Sequence, residues 1–217
     1  MRIHISFTPS KETIPFNYQP ILTGALHKWI GKNDVHDDVS LYSFSWLQGA
    51  SASKHGLHLK DDGRFFISSY DNTLLHKIIN GIQADPLIGY GLVVRQVAFE
   101  REPEFKNGTF FCASPIFVKR WVGEREVHYT YKDPEADQFL TDTLKTKLKK
   151  ANLEDNEVNV SFDRNYRAPK TKVIYYNQIG SRVSICPVKI TGSYEQLAFA
   201  WNVGIGNSTG IGFGALK

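Results

Sequence analysis

Five glycines in eleven residues mark the end of the sequence, Gly204-Ile-Gly206-Asn-Ser-Thr-Gly210-Ile-Gly212-Phe-Gly214. Such spacing frees backbone N–H groups to approach a ligand closely, and phosphate is the obvious one. A dinucleotide fingerprint needs a helix after its glycines, and only Ala215-Leu-Lys217 follows here. The nucleotide-cradling P-loop needs Gly-Lys-Ser or Gly-Lys-Thr at a fixed offset, which is absent after Gly206. Taken alone, the tail is equally a glycine-rich hairpin or bulge at a domain end. A second run, Arg164-Asn-Tyr-Arg167-Ala-Pro-Lys170-Thr-Lys172, sets four cations around Tyr166, with Tyr175 and Tyr176 just beyond. Phosphate pairing and base stacking use these residue types, and so does an exposed charged hairpin.

Histidine exchanges protons near neutral pH, and the chain has seven. His27 falls in a helical run, and the wheel turns it away from the Leu22, Leu26 and Trp29 face. Its neighbours Thr23, Gly24 and Gly31 are small and leave room for a ligand, although an exposed histidine of no consequence fits as well. His36 sits in the polar loop Asn33-Asp-Val-His-Asp-Asp38 and reads, by itself, as a solvated loop residue. His55 and His58 have metal-like spacing but fall on a strand pattern, where an offset of three sends the rings to opposite faces. His4, His76 and His128 read as ordinary surface or satisfied side chains. Cys112 and Cys186 are far apart, with no Cys or His at ligand spacing, so neither a disulfide framework nor a zinc site is expected. The lysines 145, 147, 149 and 150 close a helical run, where they complement the helix dipole and solvate its outer face.

The elements that must position these groups follow from periodicity. Residues 2–7 alternate as a strand, 18–30 repeat as a helix ended by Gly31, and 41–47, 57–60 and 64–69 read as strands, the last two as one hairpin. A helix over 73–82 and a strand over 92–100 complete a β-α-β-β-α-β unit. The charged, Pro- and Gly-containing segment 101–108 reads as a linker. The pattern then restarts with a strand over 109–119, a helix over 134–151, strands over 158–162, 172–179 and 182–190, a short helix over 193–200 and a last strand in the tail. The fold class is thus α+β, two tandem ferredoxin-like (RRM-like) domains over 1–100 and 109–217. A net charge of +4 over 217 residues permits a polyanionic partner without requiring one. Without a signal-peptide pattern or an apolar run of ~18–20 residues, a cytoplasmic protein with no membrane partner is expected.

The tail core Asn207-Ser-Thr-Gly-Ile-Gly-Phe-Gly214 resembles the glycine-rich loop of CRISPR-associated repeat-processing endoribonucleases. Leu22-Thr-Gly-Ala-Leu-His27, Tyr42-Ser-Phe-Ser45, Ser114-Pro-Ile116, Asp133-Pro134 and Ile190-Thr-Gly192 match in family order, so the resemblance spans nearly the whole chain. It implies cleavage of CRISPR precursor RNA within its repeats, without metal or other cofactor, by attack of the ribose 2'-hydroxyl on the adjacent phosphorus. It implies that His27 and His36 are the proton-transfer pair. Some relatives add a lysine that aligns near Ser40 here, so Lys54 in the next loop is the substitute. RNA contacts are expected from Arg164, Arg167, Lys170 and Lys172 and from Gly204, Gly206, Asn207, Ser208, Gly210, Gly212 and Gly214. Repeat RNA is the implied partner, and other CRISPR-associated effector subunits or a second copy of the chain are further ones. Two alternatives stand beside this reading: an RNA-binding subunit without catalysis, and a small-molecule enzyme with a phosphate-binding glycine loop. The second lacks clustered carboxylates or a cofactor fingerprint.

Overall fold

A computed structural model describes the backbone of residues 1–31, 39–105 and 108–217. The first half runs β1 (Arg2–Phe7), α1 (Gln19–Ile30), β2 (Tyr42–Phe44), β3 (Gln48–Ala52), β4 (Leu57–Ser69), α2 (Asn72–Ala84), β5 (Leu87–Gly89) and β6 (Leu92–Glu100). Alternation puts Ile3, Ile5 and Phe7 on one face of β1. They join Leu22, Leu26 and Trp29 of α1 and Leu75 and Ile78 of α2 in one buried core. The sheet order is β2-β4-β1-β6-β5, and β3 pairs with β4. With β2 and β4 as second and third strands, β1 lies between the third and the fourth, as in a ferredoxin-like unit.

Residues 57–69, expected as a hairpin, form a single strand of thirteen residues. The hairpin lies one element earlier, with Ala52 opposite Leu57. Its turn closes where the Ser53 N–H donates to the Gly56 carbonyl at 2.7 Å.

The second half comprises β7 (Thr109–Phe110), β8 (Ile116–Val122), β9 (Arg125–Tyr129), α3 (Glu135–Lys150), β10 (Asn159–Phe162), β11 (Lys170–Tyr176), β12 (Ile179–Ile185), β13 (Val188–Thr191) and α4 (Tyr194–Val203). Two of the strands expected here, 109–119 and 182–190, split around a proline, Pro115 in one and Pro187 in the other, because proline has no N–H for the ladder. The pieces pair in two sheets, β10-β13-β7 and β11-β12-β8-β9. Hairpin β8–β9 was not visible in the periodicity. The tail lies beside the first strand, where Phe111 and Lys217 exchange N–H···O bonds of 3.0 and 2.9 Å and the Ala113 N–H reaches the Ala215 carbonyl at 2.8 Å. The expected last strand is therefore only a short ladder in the fourth-strand position. Leu140, Leu144 and Leu148 of α3 pack with Phe199, Ala200 and Val203 of α4 over Val160, Val188 and Ile190.

The halves meet along a polar seam. The Ser43 hydroxyl donates to the Asn202 carbonyl at 3.2 Å. The Trp46 N–H donates to the Ala113 carbonyl at 3.1 Å. No helix among the described residues is long and apolar enough to cross a membrane. Cys112 and Cys186 are free thiols.

Candidate functional site

The glycine-rich segment leaves α4 at Gly204 and passes through a single 3-10 turn, Thr209–Ile211. Most of it is buried, and its missing side chains make room for the protein's own atoms. A Cβ at Gly206 would lie 2.5 Å from the Phe117 carbonyl oxygen, and one at Gly204 would lie 2.7 Å from that of Gly214. At Gly210 it would strike the Ser40 hydroxyl, at Gly212 the Phe44 ring 2.8 Å away, and at Gly214 the Ile205 carbonyl. At Gly210 and Gly212 the space beside the backbone is taken by residues of the first half, at Gly204 by Ser43 of the first half as well as Gly214, and at Gly206 and Gly214 by residues of the second half itself. Asn207 and Ser208 are the half-buried residues at the turn.

Three side chains of the first half grip this segment through its carbonyls. The Gln19 amide, in the first turn of α1, donates to Ile211 (3.2 Å) and Gly212 (3.0 Å). The Trp46 indole N–H also reaches the Gly212 carbonyl, at 3.2 Å. The Tyr42 hydroxyl donates to that of Gly210 at 3.3 Å, and burial pushes its pKa up to about 12. Gln19 and Trp46 were not singled out in the sequence, where they look like ordinary core and surface residues, and Tyr42 entered only within the matching segment Tyr42-Ser-Phe-Ser45, with no role given to its hydroxyl.

Two cations from the second half lie beneath. Lys147 of α3, expected on the solvated outer face, is instead fully buried. Its ammonium donates to the carbonyls of Val203 and Gly204 and to the Thr209 hydroxyl, at 3.1, 3.1 and 3.0 Å. All three acceptors are neutral, and burial lowers its pKa to about 7. The Arg120 guanidinium donates to the carbonyls of Lys119 and Phe139, the Thr143 hydroxyl and, at 3.4 Å, Asn207 Oδ1. It lies over the Phe139 ring, and burial lowers its pKa as well. Asn207 Oδ1 also accepts from the Lys119 N–H at 2.9 Å. Asn207 also lines a cavity of about 360 Å³, together with Val39, Arg120, Asp142, Thr143 and Thr146. The Asp142 carboxylate in this lining acts against the lowering of the Arg120 pKa.

His27 lies in the last turn of α1, half-buried, and the space beside Gly24, three residues before it, is open. Gln19, on the same helix, ties it to the glycine-rich segment. His36 lies outside the described residues. Lys54 is exposed in the β3–β4 turn, and among the described residues the contacts of that hairpin run to Ser10, Thr13 and Ile14, ahead of α1. Arg164 is committed to α3: its guanidinium pairs with both oxygens of Asp137 at 2.5 and 3.1 Å and reaches the Tyr131 and Asp133 carbonyls. Arg167, Lys170 and Lys172 are exposed along the entry to β11 and on it. His55 and His58 lie in the turn and on β4, and no group of three metal-ligating residues occurs among the described residues.

The family model for CRISPR associated protein Cas6, C-terminal, matches residues 100–217. The CRISPR-associated endoribonuclease Cas6 1 of Methanocaldococcus jannaschii is 26% identical over 233 residues, covering 99% of this chain and 91% of the relative. The putative CRISPR-associated endoribonuclease-like protein Cas6 of Pyrococcus furiosus is 28% identical over 244 residues, covering 100% and 98%. A solved structure described as CRISPR associated protein Cas6 superimposes with a TM-score of 0.85 at 22% identity, covering 100% of this chain and 98% of that one.

Proposed function

The chain belongs to the CRISPR-associated Cas6 family, and on that premise we propose that it is an endoribonuclease that cuts CRISPR precursor RNA within its repeats. The observation that carries the reading is the union of α1, which bears His27, with the glycine-rich segment through Gln19. It sets a proton-transfer side chain on an element anchored to a turn backed by cations. Residues 1–100 and 109–217 serve as its two domains, and the cytoplasm, where thiols such as Cys112 and Cys186 stay reduced, is its compartment.

In this reaction the 2'-oxygen forms a bond to phosphorus as the bond to the 5'-oxygen breaks. His27 takes the 2'-hydroxyl proton, His36 gives one to the departing 5'-oxygen, and Lys54 is the candidate for the phosphorane's charge. The products are a 2',3'-cyclic phosphate and a 5'-hydroxyl. Chelator-treated protein, incubated with the repeat RNA of its own locus, tests this by the chemistry of the product ends. A strict magnesium requirement with 5'-phosphate ends overturns it. One observation favours a second reading, an RNA-binding subunit that does not cut: among the described residues the contacts of the Lys54 hairpin run to Ser10 and Thr13, ahead of α1.

A further inference from the structure

A groove crosses the seam on the side where Gln19 and Trp46 hold the glycine-rich segment. Phe16, Asn17, Tyr18, Gln19 and Trp46 form one side, and Val173, Ile174 and Tyr175 of β11 the other, around about 230 Å³. Its floor is fixed. Tyr18 is buried, packs edge-on to Trp46 with ring centroids 6.5 Å apart, and accepts the Leu47 N–H on its hydroxyl. Its rims are large side chains left in water: Phe16 is 60% exposed, Tyr175 58% and Val173 54%. Among the described residues β11 is the edge of its sheet, paired with β12 alone. Aromatic and aliphatic surface exposed on two facing walls of one slot marks a site that something covers.

Charge selects the occupant. From Arg164 to Tyr194 the chain carries six Lys or Arg and no Asp or Glu. Arg164 and Lys189 are paired, with Asp137 and Asp163. Arg167, Lys170 and Lys172 are exposed, and Lys170 and Lys172 share the face of β11 that carries Ile174, which lines the groove beside Val173 and Tyr175 of the other face. A peptide strand added to β11 would meet this row of cations on an edge, where lysines discourage strand pairing. Flat apolar slots flanked by cations are instead how single-stranded nucleic acid is held, with bases stacked on aromatic rings and phosphates on the cations.

We propose that the groove between Phe16 and Tyr175 takes an unpaired nucleobase of the RNA, stacked on those rings, with the neighbouring phosphates on Lys170 and Lys172. Asn17 offers an amide donor and acceptor to the base edge. This subsite rests on the RNA-processing reading and adds a base contact separate from His27.

Fluorescence anisotropy with end-labelled repeat RNA, across a salt series, tests it. Phe16→Ala and Tyr175→Ala, both at positions more than half exposed, should each weaken binding about 5- to 100-fold, the range for loss of one base–aromatic stack. Their salt slopes should match the parent's, because no phosphate contact is lost, whereas Lys170→Ala and Lys172→Ala should flatten the slope. Parental affinity in both aromatic variants, with RNA bound and cut normally by the parent, overturns the groove and leaves the endoribonuclease reading intact. A flattened slope in Phe16→Ala or Tyr175→Ala also overturns it, since the effect would then be electrostatic. If the parent itself neither binds nor cuts repeat RNA, the endoribonuclease reading falls, and the subsite with it.

Discussion

The Arg2 guanidinium lies 3.5 Å over the ring of Trp201, joining the first strand of one half to the last helix of the other. Its opposite face covers Phe66 at 3.8 Å. Its nitrogens donate to the Ser68 hydroxyl (2.6 Å) and to the carbonyls of Trp201 (3.1 Å) and Leu216 (2.7 Å), and Glu100 lies 3.6 Å away. The two cores thus share a buried cation. Arg2→Met keeps the apolar stem and removes the donors. It should lower the free energy of unfolding in urea by about 1–3 kcal/mol for each carbonyl left without a partner. A loss well under 1 kcal/mol would show that the seam holds without it.

Gly212 and Gly24 should respond in opposite directions to the same added methyl. Gly212 has φ +91°, where an L side chain is strained, and its Cβ would press on the Phe44 ring. Gly212→Ala should therefore destabilise by more than the ~1–2 kcal/mol of the left-handed conformation alone. Gly24 sits in α1 with nothing within 4 Å of a Cβ, so Gly24→Ala should stabilise by about 0.5–1 kcal/mol through helix propensity. Urea midpoints of the two variants that move the same way would contradict this use of space.

Much of this was legible in the sequence, and the residues that were not share a cause. The alternation of Ile3, Ile5 and Phe7 and the helical spacing of Leu22, Leu26 and Trp29 reach the core as read, because burial of one face dictates the period. The glycines announced close approach but not what approaches, since Phe44, Phe117 and Ser40 come from distant segments. Lys147 is the sharper case. It stands seven residues after Leu140 and three after Leu144, so spacing alone puts it on the buried face. Its charge suggested the opposite, and only the acceptors supplied by Val203, Gly204 and Thr209 make its burial tolerable. The contacts of Tyr42 and Gln19 were hidden for the same reason: their partners are more than 160 residues away.

His27 separates cutting from binding. As the proposed base it should be needed for proton transfer and nearly dispensable for affinity. His27→Ala should slow single-turnover cleavage of repeat RNA by about 10²- to 10⁴-fold while binding stays within a few-fold of the parent. A 2'-deoxy substitution at the cleaved nucleotide should stop the parent too, since the attacking oxygen is gone. Parental rates in His27→Ala would remove this residue from the chemistry.

Lys147 should make stability rise with pH through neutrality. Burial holds its folded pKa at about 7, whereas in the unfolded chain it returns to the ordinary lysine value of about 10.4. Between these values the unfolded state binds more protons than the folded one, so raising the pH favours folding. The gain approaches 1.4 kcal/mol per pH unit once the folded-state lysine is mostly neutral, and it is absent well below pH 7, where both states carry the charge. Cys112 and Cys186 act in the opposite sense at higher pH. Burial raises their thiols to about 12 and 11, so unfolding releases their protons first and stability falls above about pH 8.5. The clean window is therefore pH 7 to 8.5. Urea unfolding in that range should show a rising free energy for the parent and a flatter one for Lys147→Met, which keeps the buried stem without the ammonium. Equal slopes in the two proteins would mean that Lys147 does not change its protonation there, and that the three neutral acceptors hold it charged throughout.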